Sequence, residues 1–63
     1  MKLDDNRLNT WIKSNAESGI ATINKSNKWY HYVQSNKSRL ARVLDVDIIY
    51  HQHLGGYYEI ILH

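Results

Sequence analysis

A chain of 63 residues with no cysteine must hold its fold by burial alone, because neither a disulfide nor a sulfur-ligated zinc can staple it. That constraint is severe at this length. A domain so small buries only about 60% of the surface its unfolded chain exposes, so it forms one compact unit with little core left for a deep pocket. The composition can meet the demand: 43% of residues are hydrophobic, 22% are charged and proline is absent, the balance of a globular rather than a disordered chain. Secreted domains of this size usually rely on disulfides, so the expected location is cytoplasmic. The apolar runs fall far short of the roughly 20 residues that span a bilayer, and no signal-type apolar stretch follows Lys2, so no membrane attachment is expected. Heavy use of Asn, Lys, Ile and Tyr suits the AT-rich coding of a small phage, plasmid or low-GC bacterial gene.

Hydrophobic period then assigns the elements. Leu8, Trp11, Ile12 and Ala16 recur at helical spacing and predict a helix over residues 5–17, with Asp4 as its N-cap, Leu3 and Leu8 as a hydrophobic staple and Gly19 as its stop. Residues 20–23 and 28–34 are rich in β-branched and aromatic side chains and flank the turn formers Asn24, Lys25, Ser26 and Asn27, which predicts a hairpin. A short second helix follows to about Leu44, capped by Ser35 or Ser38, and then a strand over 46–54. After Gly55-Gly56, residues 58–62 form the last strand. A three-residue loop through Tyr57 would pair Leu54 with Tyr58, Gln52 with Ile60 and Tyr50 with Leu62, keeping one face apolar and placing His53 opposite Glu59. The expected fold is therefore a single α+β domain of αββαββ order, a four-stranded, mainly antiparallel sheet with two helices packed on one face. Its expected core holds Leu8, Trp11, Ile12, Val43, Leu44, Ile48, Tyr58 and Ile60.

Charge is unevenly spread along this chain. Between Ser18 and Leu44 stand Lys25, Lys28, Lys37, Arg39 and Arg42 with no acid, and Trp29, Tyr30, His31 and Tyr32 lie among them. Cations neutralise phosphates and aromatic rings stack on bases, so Lys25, Lys28, Trp29, Tyr30, Tyr32, Lys37, Arg39 and Arg42 are the candidate contacts to nucleic acid, DNA or RNA. The same rings would also serve as core and sheet residues, with the cations a solvated face, but a strand of alternating faces cannot bury all of Trp29 to Val33 at once, which keeps the nucleic-acid reading open. The competing reading, from a different class, is a small inhibitor or adaptor of the phage or plasmid type that grips a host protein through Tyr30, Tyr32 or Tyr57.

Catalytic and metal chemistry find little support. His51 and His53 share a strand face near Asp47, but two imidazoles lack the third and fourth ligands of a zinc centre, so no metal or cofactor is assigned. Neither a nucleophile elbow nor a phosphate-cradling glycine loop occurs, and the expected protein is not an enzyme. The stretch from Ser38 through Ala41 and Asp45 to Val46 resembles the first helix and turn of a helix-turn-helix DNA-binding motif, with Asp45 where that motif has glycine. The resemblance implies a recognition helix over 48–54, whereas the residue types there favour a strand. The last strand, read as a sheet edge with Ile61 on the face opposite Ile60, implies a homodimer formed through it or through that face.

Overall fold

The computed structural model describes residues 2–63. Helix α1 spans Asp5–Asn15, strand β1 Ile20–Asn24, helix α2 Tyr30–Val43, strand β2 Val46–His51 and strand β3 Tyr57–Leu62. The order is αβαββ, with three strands and not four. The sheet runs β1-β3-β2, and β3 is antiparallel to both neighbours. β1 and β2 are therefore parallel to one another, joined by a crossover through α2, which parallel strands require.

α1 forms for the reasons its sequence gives. The Asp4 carboxylate accepts from the Arg7 backbone N–H at 2.8 Å, and Leu3 packs against the cluster that buries Leu8 and Ile12. The chain then reverses through Ser18 and Gly19, whose φ values of 53° and 79° make a tight left-handed turn between Glu17 and Ile20.

Of the segment 28–34, residues 30–34 belong to α2 and 28–29 to the turn before it, not to a hairpin strand, and the cause is side-chain period. Trp29, Tyr30 and Val33 are all buried, and only a helix can turn two adjacent residues and the next one three on toward the same core. The turn chemistry that suggested a hairpin starts this helix instead: Ser26 N–H donates to the Asn24 side chain at 3.1 Å, and Trp29 N–H donates to Asn27 Oδ1 at 2.8 Å. Midway, Asn36 departs from helical geometry at φ −127°, where its side-chain amide donates to the Tyr32 carbonyl at 2.9 Å and competes with the backbone ladder.

The inner sheet face brings Ala21, Ile23, Val46, Tyr58 and Ile60 against Leu8, Ile12, Trp29, Tyr30, Val33 and Leu40. Trp11, Leu44 and Ile48 are only partly buried, and Val43 is 56% exposed, so it is not a core residue. In the β2–β3 hairpin Tyr58 pairs with Tyr50, Ile60 with Ile48 and Leu62 with Val46. The expected partners were displaced by an even number of residues, so the apolar set stays on the same face. The longer loop takes the left-handed φ values of Leu54, Gly55 and Gly56, and at Gly56 a Cβ would collide with the Tyr50 hydroxyl. β2 occupies the place of the implied recognition helix, which removes the helix-turn-helix assignment. β3 is central, so its backbone groups are paired on both sides and it offers no edge for a second copy. Among the described residues no helix is long and apolar enough to cross a membrane.

Candidate nucleic-acid interface

The eight residues singled out from sequence separate into three groups. Trp29 and Tyr30 are core residues, 1% and 4% exposed, and neither ring has a free face for a base. Tyr30 lies 5.3 Å from Tyr58, ring centre to ring centre, and burial pushes its phenol above the usual range. Tyr32 and Arg39 are committed to a tie between the helices. The Tyr32 hydroxyl donates to Asp5 Oδ1 at 2.5 Å and the Arg39 guanidinium pairs with Asp5 Oδ2. These bonds, the Arg39 one foremost, hold the Asp5 carboxyl below the usual carboxylate range, and the same carboxylate raises the Tyr32 phenol.

The third group is free. Lys25, Lys28, Lys37 and Arg42 are exposed and make no ion pair among the described residues. Two of them stand on α2, whose 14 residues include no acid. His31, Gln34 and Ser35 before the Asn36 interruption and Lys37, Ser38 and Arg42 after it are all exposed, the first set at i, i+3 and i+4 and Ser38 with Arg42 at i and i+4, so each half of the helix presents a polar stripe to solvent. The carboxylate bonded to α2, that of Asp5, is matched by Arg39. A basic, hydrogen-bonding surface running about 17 Å along α2 from His31 to Arg42, across the interruption at Asn36, thus faces solvent.

Lys28 extends this surface around the start of α2. With Trp29 it forms one side of an open groove of about 400 Å³, whose other side is the α1 stripe of Asn6, Arg7, Thr10 and Trp11. Sequence reading missed these α1 residues. Trp11 counted as core through its helical spacing and is in fact half-buried, while Asn6, Arg7 and Thr10 carry no signal until the fold sets them opposite Lys28.

Asp45, Asp47 and Glu59 lie away from this surface, beside histidines. His63 Nε2 lies 2.9 Å from Asp47 Oδ2 and its Nδ1 3.3 Å from Asp45 Oδ1, and these carboxylates raise the imidazole above its ordinary value. His51 Nε2 lies 3.1 Å from Glu59 Oε1, and its ring stacks on Tyr57 at 4.8 Å. His53 is therefore not the partner of Glu59. The described residues contain no group of three or more His, Asp or Glu placed to hold a metal ion. Strand register sets Ile20, Ile61 and Asp47, then Thr22, Glu59 and Ile49, then Asn24, Tyr57 and His51 on the uncovered sheet face. Of the three tyrosines considered for a protein partner, only Tyr57 belongs to this face. No protein-family model, curated protein or solved structure matches the chain.

Proposed function

We propose that the protein is a non-enzymatic nucleic-acid-binding module whose contact surface is the exposed stripe of α2 with the flanking Lys25 and Lys28. The observation that supports this reading best is a 14-residue helix without a carboxylate, carrying the unpaired Lys37 and Arg42 among His31, Gln34, Ser35 and Ser38. Cations give the phosphate attraction, while amide, hydroxyl and imidazole groups can exchange hydrogen bonds with base edges. An α-helix fits the major groove of duplex DNA and not the deep, narrow one of A-form RNA, so duplex DNA suits this surface best. The aromatic residues of the segment serve the fold: Trp29 and Tyr30 fix the helix to the sheet, and Tyr32 with Arg39 fixes it to α1.

The test is anisotropy titration of a labelled duplex over a range of salt. Lys37→Ala and Arg42→Ala should each weaken binding across sequences and reduce the salt slope by about one. Absence of binding at low salt to duplex DNA, single-stranded DNA and RNA alike would contradict the proposal.

A further inference from the structure

The groove between α1 and the start of α2 is not needed for a helix to lie on a duplex, yet its lining has a definite chemistry. Arg7 on α1 and Lys28 on the turn before α2 both line it; Arg7 Nε lies 3.7 Å from Asp4 Oδ2 in an exposed pair, while Lys28 makes no ion pair among the described residues. The half-buried Trp11 indole offers a π surface there, and the Asn6 carboxamide and Thr10 hydroxyl add polar groups. Thr10 Oγ1 already donates to the Asn6 carbonyl at 3.1 Å, which leaves its lone pairs to accept. A separate observation concerns Trp29, which also lines the groove. Its Nε1–H is the one buried side-chain polar atom among the described residues without a hydrogen-bond partner, and an acceptor is what it lacks. The volume of about 400 Å³ lies within the usual range for a small-ligand site.

We infer that this groove binds a nucleoside phosphate, the base lying against Trp11 and the phosphate held between Arg7 and Lys28. A guanidinium and an ammonium lining one groove favour a phosphate, which can displace the exposed Asp4 from Arg7, and the indole favours a flat ring. The unit can come from a free mononucleotide or from an unpaired residue at the end of a strand bound along α2. The site stands on its own lining, so it is separable from the α2 surface.

Both tryptophans of the chain line the groove, so tryptophan fluorescence and the two indole N–H resonances report on this place directly. Adenosine 5′-monophosphate should quench the fluorescence and shift both resonances, with adenosine and inorganic phosphate each binding at least about tenfold more weakly. Arg7→Ala and Lys28→Ala should each weaken the mononucleotide by about tenfold, and Lys13→Ala should not. Asn6→Asp is the sharper variant: a carboxylate in the first turn favours α1, so the fold is kept or strengthened while the anion is repelled. A second arm compares a blunt duplex with one bearing an unpaired overhang. Indole shifts with the overhang alone assign the site to strand ends, and shifts with the free mononucleotide alone assign it to a small ligand. Indoles silent to millimolar mononucleotide and to overhang, mononucleotide binding undiminished in Asn6→Asp, or inorganic phosphate binding as well as the mononucleotide would overturn the inference. Duplex binding through Lys37 and Arg42 could survive any of these results.

Discussion

His63 sits between two carboxylates, one at each ring nitrogen, and ties the chain after β3 to β2 through Asp47 and to the turn before it through Asp45. The Asp47 hydrogen bond, then that of Asp45, raises its folded value above the unfolded one. The protonated ring therefore stabilises the fold fully below the ordinary histidine value of about 6.5, and the contribution is lost as pH climbs through the raised value. Urea midpoints should fall across that window, and Asp47→Asn should flatten the fall and bring the titration of the His63 ring back toward the ordinary value. A midpoint independent of pH between 6 and 8 would contradict this pairing. The Asp5 cluster has the opposite sign. Its lowered carboxyl stabilises the fold above about pH 4, and that stability is lost as pH falls through the folded value.

At the scale of elements, α2 carries a discontinuity that its sequence announces. Asn36 uses its side chain on the Tyr32 carbonyl, and the helix deviates there. Asn36→Ala removes the competitor and installs the best helix former, which should raise stability by about 0.5 kcal/mol and slow amide exchange over residues 37–40. Unchanged or faster exchange would mean that the deviation is imposed by packing. The Ser35 and Ser38 cap signals mark this same interruption, which is why residues 35–44 read as a separate helix. α1 was legible because cap, staple and apolar stripe agree, and the faces of β2 and β3 were legible because strict alternation survives an even shift of register. Residues 28–34 were not, since Asn-rich turns open hairpins and helices alike and a short aromatic run fits either period. The free cations were readable as charge. The commitment of Arg39 was not, because its partner Asp5 is 34 positions away and only tertiary packing joins them.

Charge is unevenly placed over the whole molecule, although Asp4 and Asp5 on the helix side pair with Arg7 and Arg39. Both helices pack on one face of the sheet, with the free cations of α2 and the groove there, while Asp47 and Glu59 belong to the uncovered face with Ile20, Ile49 and Ile61. Ile20 and Ile49 are 37% and 42% exposed, an apolar area that suits the face of a second copy now that β3 is paired on both edges. We propose self-association through this face at micromolar concentration. Light scattering should then show a dimer that Ile49→Lys returns to a 7.4 kDa monomer, and a monomer at every concentration up to millimolar would refute it. Such a dimer would leave both α2 stripes outward.

The central claim, that the acid-free face of α2 is the nucleic-acid contact, is tested most directly by following the backbone amides of the labelled protein as a short duplex DNA is added at low salt. Shifts concentrated on His31, Gln34, Ser35, Lys37, Ser38 and Arg42, reversed by added salt, are the expected result. Shifts confined to the sheet face around Thr22, Ile49 and Glu59, or no shifts at all, would contradict it.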